Sequence, residues 1–388
     1  MTPAMPSDAK PKLTPKLRFP EFRDAEEWME KRLDACLDYE QPTPYLVSDT
    51  NYSPSFKTPV LTAGKTFILG YTNEQHGIFS KDLPVIIFDD FTTATQFVDF
   101  PFKAKSSAMK ILRAKNGANI KFMYERLQTL SHEVGAHERH WISQFAPMLV
   151  SVPQSTEQQK IAECLGTLDE LMGAERQKLD ALKAHKKGLM QQLFPRAGET
   201  RPRLRFPEFQ NAPEWEEDKL GSVCELYQPV TLSASELSMT GEHLVYGANG
   251  IIGSHREYNH EESEIAVTCR GATCGEVTIT KPKSWITGNA MVVKPRTGNL
   301  RKDFIFQYFK NHGLKSIISG SAQPQITRAG FAPLLVFFPK PEEQKRIADC
   351  LSALDELIAA QSTKLATLQT HKEGLMQNLF PSAAETKS

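Results

Sequence analysis

From Ile161 onward apolar residues recur at Leu165, Leu168, Met172, Leu179, Leu182, Leu189 and Leu193, in steps of four and three. A second stretch repeats the rhythm at Ile347, Leu351, Leu354, Ile358, Leu365, Leu368, Leu375 and Leu379. An average period near 3.5 belongs to a seam between two helices rather than to the broader apolar face of a helix lying on a globule. Polar residues interrupt the first seam at Glu175 and Lys186, and the second at the matching Gln361 and Lys372. The pattern predicts two helices, each of roughly 33 residues and about 50 Å long, that pair with each other. The alternative is two separate amphipathic helices, each packed on its own domain; matching interruptions favour one duplicated seam. Ser155 or Thr156, followed by Glu157 and Gln158, would cap the first helix, and Pro341 with Glu342 and Glu343 opens the second. Phe194-Pro195 and Phe380-Pro381 end the two patterns. Gly188 and Gly374, also matching, weaken the helices by about 1 kcal/mol each relative to alanine, and close packing is the expected reason.

The surroundings repeat as well. LRFPEFRDAEEWMEKRL at 17–33 returns as LRFPEFQNAPEWEEDKL at 204–220, with 11 of 17 positions identical. The segments 157–195 and 343–381 share 23 of 39. Between them lie two stretches of similar length and unlike sequence, about 34–150 and 221–336. Pro84–Phe88, Glu264–Thr268 and Gly275–Thr280 read as strands, Phe304–Phe309 as helix, and Asn116-Gly117 and Asn249-Gly250 as tight turns. The expected class is α+β: two mixed domains, two long helices and a pseudo-two-fold internal repeat. The expected order is a flexible tail (1–16), the first domain with its boundary motif (17–155), the first helix (156–195), a linker and the second domain (196–340), the second helix (341–381) and a flexible tail (382–388).

With 388 residues, 40% of them hydrophobic, the chain is long enough for two cored domains. No apolar run reaches a membrane span, and the Pro- and Lys-rich start has no signal-peptide core, so a cytoplasmic protein is expected, with no membrane partner. Six dispersed cysteines without a CxxC pair read as reduced structural thiols. Net charge is zero, so the question becomes where charge sits. Residues 100–124 hold Lys103, Lys105, Lys110, Arg113, Lys115 and Lys121, and residues 277–302 hold Lys281, Lys283, Lys294, Arg296, Arg301 and Lys302, with no acidic residue inside either block. Such blocks suit phosphate contact, which sets affinity without carrying base information; a solvated face is the plainer reading of either alone. For reading bases, Arg suits guanine and Asn or Gln suits adenine. By type the candidates are Arg139 and Gln144 in the first domain, and Gln323, Gln325, Thr327 and Arg328 in the second.

Catalytic patterns fail. His132-Glu133 is followed by His137 one residue too late for a zinc pair, with Gly135 between. Gly64-Lys65-Thr66 has Pro59 where a phosphate loop needs its first glycine, and Gly247–Gly253 reads as a turn. Asp89-Asp90 lacks a convincing downstream nuclease partner. No catalytic residue and no metal ligand is expected.

Taken together, the duplicated Pro-x-x-x-Glu-Gln-x-x-Ile-Ala core at Pro153–Asp169 and Pro339–Asp355, with Thr287-Gly288-Asn289-Ala290 and Ser319–Pro324, resembles type I restriction-modification specificity subunits. The resemblance implies two target recognition domains, each reading half of a bipartite double-stranded DNA site, and an antiparallel coiled coil that sets the spacer. It implies two methyltransferase subunits and restriction subunits as partners, with S-adenosylmethionine, ATP and Mg used by those partners and no cofactor held here. The competing readings are a coiled-coil interaction protein with two domains unrelated to DNA, and a self-sufficient methyltransferase or nuclease, which the missing motifs disfavour.

Overall fold

The structure, a computed structural model, describes residues 13–381 except 63, 65, 116, 131–139, 197, 239, 249, 297 and 321. The chain divides into two compact units, Met1–Arg176 with Lys364–Ser388, and Gln177–Thr363. Each unit therefore holds one domain and a segment of both long helices.

In the first unit the elements are β1 (Met29–Arg32), α1 (Leu33–Cys36), β2 (Leu37–Glu40), β3 (Thr58–Leu61), β4 (Ile68–Thr72), β5 (Val85–Asp89), β6 (Thr95–Val98), β7 (Lys103–Ala104), β8 (Met109–Ala114), α2 (Ile120–Gln128), β9 (Leu149–Val152) and the start of α3 (Ser155–Leu193). They form a β1-β9 ribbon, a β2-β8-β5-β6 sheet and a β4-β3-β7 sheet. The run Val85-Ile86-Ile87-Phe88 does not alternate because β5 is buried on both faces: Ile86 and Phe88 join one core, Val85 and Ile87 another.

The second unit repeats this with β10 (Glu216–Lys219), α4 (Leu220–Val223), β11 (Cys224–Tyr227), β12 (His243–Gly247), β13 (Gly250–His255), β14 (Ile265–Thr268), β15 (Val277–Ile279), β16 (Trp285–Ile286), β17 (Ala290–Pro295), α5 (Lys302–His312), α6 (Arg328–Phe331), β18 (Leu335–Phe338) and α7 (Pro341–Leu379). Its sheets are β10-β18, β11-β17-β14-β15 and β13-β12-β16. Element for element the sheet topology is that of the first unit, down to one parallel pairing in each three-stranded sheet, β3 with β7 and β12 with β16. Two domains of unlike sequence thus share one fold. The predicted strands and the helix around Phe304 are present as β5, β14, β15 and α5. Gly117 and Gly250 have positive φ, as turn glycines should; Asn116 and Asn249 lie outside the described residues.

Both long helices have 39 residues. In the first unit Asp169 meets Lys372 and Glu175 meets Lys364, so the segments of α3 and α7 run antiparallel. In the second unit Lys186 meets Asp355, while Met190 and Leu193 share a core with Ile347 and Leu351, again antiparallel. The reading of two helices each confined to its own domain is thereby excluded. Along the seam Ile161, Leu165, Met172, Leu179, Ile347 and Leu351 are buried, whereas Leu168, Leu182, Leu189, Leu354, Ile358, Leu365, Leu368 and Leu375 are half-buried. A Cβ added to Gly188 or Gly374 would meet nothing within 4 Å, so close packing within the chain is not why glycine stands there.

The duplicated boundary motif has a structural purpose that the capping reading missed. Glu157 and Gln158 lie inside the first turn of α3, after Gln154, whose carbonyl receives their N–H groups. The Arg18 guanidinium donates to both Glu157 carboxylate oxygens, at 2.8 and 2.7 Å, and to the Ala25 carbonyl. Arg205 makes the same three contacts with Glu343 and the Ala212 carbonyl. Gln158 accepts from Asn119 N–H and donates to the Gly117 and Pro153 carbonyls; Gln344 accepts from Arg301 N–H and donates to those of Asn299 and Pro339. Each Glu-Gln pair thus clasps the boundary motif to a long helix, and that helix to the start of α2 or α5.

Candidate nucleic-acid interface

In the second domain three loops converge just beyond β14. Cys269 N–H donates to the Asn289 carbonyl at 2.9 Å, and the Cys269 carbonyl accepts from Ile326 N–H at 2.9 Å. Gly271 N–H donates to the Pro324 carbonyl at 3.2 Å, and Ser319 and Gln325 exchange backbone bonds of 2.9 and 2.8 Å. Gly320 closes the turn at φ +82, where a Cβ would sit 2.6 Å from the Gln323 carbonyl oxygen. The result is a cleft of about 600 Å³ lined by Arg270, Gly271, Ala272, Ala322, Gln323, Pro324 and Gln325.

Gln323 and Gln325 are exposed there together with Arg270, which the sequence reading missed. Arg270 follows a predicted strand by two residues, but only its backbone bridge to Gln325 brings it to the glutamines. Arg328 is exposed on the first turn of α6. The Thr327 hydroxyl accepts from Gly330 N–H and caps that helix, which gives it a structural task. An arginine and two glutamines on one open cleft present the donors and acceptors that base edges require.

The first domain is built alike at this point. Asp90 N–H donates to the Ala108 carbonyl and the Asp90 carbonyl accepts from His140 N–H, matching the bonds of Cys269. Arg139 lies outside the described residues, as do His132, Glu133 and His137. Gln144 is half-buried on the turn Trp141–Phe145, whose two aromatic rings pack on Phe88.

The acid-free blocks look different in space. Lys103 and Lys110 are buried and cannot serve as phosphate contacts: Lys103 donates to Glu74 at 2.6 Å and to the His76 carbonyl, and Lys110 pairs with Asp90 at 3.2 Å. Asp90 also accepts from Trp141 N–H, and Asp89 from two turn N–H groups, so both aspartates are structural. Lys121 is largely enclosed between Glu125 and Asp169, and Arg113 pairs with Glu40 and Asp82. Lys105 and Lys115 remain exposed, Lys115 donating to the Asp34 carbonyl. In the second domain Lys281, Lys283, Lys294 and Arg296 are all exposed. Glu261 lies 3.9 Å from Lys283 as a weak surface pair, and the buried Glu264 lies 3.7 Å from Lys294.

The Lys103 hydrogen bond holds the Glu74 carboxyl down at about 2, helped by N–H groups of Ser48 and Asp49. A carboxylate so depressed contributes stability above its ordinary value of 4.5 that is lost as pH falls toward 2. Urea midpoints measured across that range should fall for the wild type and fall less steeply for Glu74→Gln; parallel curves would show that the pair contributes nothing.

Each unit thus holds one domain of the shared topology and antiparallel-packed segments of the two long helices. Residues 213–370 match the family described as type I restriction modification DNA specificity domain. The chain is 52% identical over 132 residues to the specificity subunit of a type I restriction enzyme of Escherichia coli, a match covering 33% of this chain and 32% of the relative. It is 23% identical over 263 residues to a putative type I restriction enzyme specificity subunit of Methanocaldococcus jannaschii, covering 63% of this chain and 61% of that one. The matches thus span about a third and somewhat under two thirds of these relatives. In fold, the chain is similar to the S subunit of a type I restriction-modification system from M. genitalium, with a TM-score of 0.73 at 16% identity over 95% of this chain and 99% of that one. Among the described residues no helix is long and apolar enough to cross a membrane.

Proposed function

We propose that this chain is the DNA specificity subunit of a type I restriction-modification complex, with each domain reading one half of a bipartite double-stranded site. The observation that carries the reading is the pairing of one repeated scaffold with two unlike sets of loops. A repeated scaffold seats two copies of one partner, and unlike loops read two different sequences. The partners are two methyltransferase subunits and restriction subunits, which use S-adenosylmethionine, ATP and Mg, and the complex works in the cytoplasm. The chain itself positions and performs no chemistry. The cleft of Arg270, Gln323 and Gln325 reads bases for the second domain, and exposed cations such as Lys105, Lys281 and Arg296 meet phosphates. The two helices act as an antiparallel coiled-coil ruler for the spacer between half-sites.

The test is to co-express the chain with a methyltransferase subunit encoded beside it and map N6-methyladenine by single-molecule sequencing. A bipartite motif with a fixed spacer, lost when this chain is deleted, is expected. A pattern indifferent to the chain would overturn the reading in favour of an interaction protein unrelated to DNA.

A further inference from the structure

We propose that the two lysines interrupting the helical seam are register keys: Lys372 with Asp169, and Lys186 with Asp355, hold α3 and α7 in one longitudinal register and thereby fix a single spacer. The link to the spacer rests on the function proposed above; the lock on the register does not.

The two pairs are the same pair written twice. Each joins the aspartate of one repeat's Leu-Asp core to the lysine that breaks the other repeat's seam, with a shortest contact of 2.6 Å. Both lysines are 13% exposed, on a seam that otherwise asks for leucine. A partly buried ion pair is a poor source of stability compared with apolar packing, but a polar residue on a seam is a strong source of register.

The alternatives are readable from the numbering. Facing residues sum to 541 in both pairs. Sliding one helix by seven residues in either direction sets Asp169 against Leu365 or Leu379, Asp355 against Leu179 or Leu193, Lys186 against Ala348 or Ser362, and Lys372 against Ala162 or Arg176. The leucines of a heptad seam meet other apolar residues after such a slip and discriminate weakly. Within the seam the four charges lose their partners at once, so the seam's own discrimination lies with them, while Phe194 and Phe380 anchor the helix ends in the domain cores.

Each domain also holds its own key. Lys121 of α2 donates to Asp169 at 2.6 Å, and Glu125 accepts from Lys372 at 3.2 Å. Gln307 of α5 donates to Asp355 at 2.9 Å. The helix that carries each recognition domain is therefore fastened at the point where the register is set.

The experiment replaces all four key residues by leucine in the full chain. With the methyltransferase partner present, the wild type should methylate sites of one spacer. The leucine variant should keep both half-sites and use at least one further spacer, differing by about three base pairs, since a seven-residue slip is about 10 Å and a base pair about 3.4 Å. A single unchanged spacer would overturn the proposal. Spin labels at the exposed Glu163 and Gln377 read the register without DNA: one distance is expected in the wild type and a second population in the leucine variant, and one unchanged distance would count against the key. As a control on folding, Lys186→Asp should broaden the register and added Asp355→Lys should restore it; failure of that rescue would also overturn the idea. A slip seen by the labels in a chain that directs no bipartite methylation would leave the key standing and remove the functional reading.

Discussion

Replacing Glu343 by alanine is expected to destabilise the second unit by about 3–5 kcal/mol, the usual cost of removing one partner from a buried ion pair. Arg205 and Glu343 are 5% and 2% exposed, and two guanidinium N–H groups meet the two carboxylate oxygens in parallel. Without the carboxylate, Arg205 keeps only the Ala212 carbonyl and stays charged where water cannot reach it well. Replacing both residues, Arg205 by methionine and Glu343 by leucine, removes the orphaned charge and should cost much less. The repeat supplies an internal duplicate: Glu157→Ala should act likewise in the first unit through Arg18, 7% exposed, with Trp28 also losing its acceptor. Calorimetry of the single and double variants checks both copies. A Glu343→Ala loss below about 1 kcal/mol would mean that the clasp is a bystander to ordinary core packing.

The second large effect concerns recognition. Arg270→Ala, assayed in the complex with a methyltransferase subunit, should weaken the site by about 1–3 kcal/mol, or roughly 5- to 150-fold, and relax one position of one half-site only. The other half-site and the spacer should be unchanged, because Arg270 lines a cleft of the second domain. Lys105→Ala offers the contrast. Loss of a phosphate contact should weaken all sites alike and reduce the salt slope by about one. Methylation mapping with competition binding at several salt concentrations separates the two patterns. A uniform loss from Arg270→Ala would remove Arg270 from the base-reading set.

Much of the site was out of reach of sequence reasoning for one physical reason. Charge counted along 100–124 ignored partners supplied from elsewhere in the fold. Glu74 neutralises Lys103 from 29 residues away, Asp90 neutralises Lys110 across the β5–β8 pairing, and Asp169 reaches Lys121 from 48 residues away. The glutamines of the second domain were identified by chemical type alone, and the arginine beside them was not, because Arg270 meets them only through a bridge between two loops.

What the sequence alone determined was everything governed by local period and duplication: two long helices, matching breaks in their seam, terminal prolines, strands at β5 and β14, and a scaffold present twice. Hydrophobic spacing decides which face of an element is buried, and near-identity between copies implies the same structure twice, so these features need no tertiary information. Tertiary structure decided that two unlike inserts share one topology, since many sequences satisfy the same alternation of buried and exposed positions. It also decided that the Glu-Gln pairs beyond the helix starts clasp the boundary motifs, and that the two lysines interrupting the seam meet Asp169 and Asp355. The Arg–Glu and Lys–Asp partners lie 138 to 203 residues apart, and no local pattern carries information over that distance.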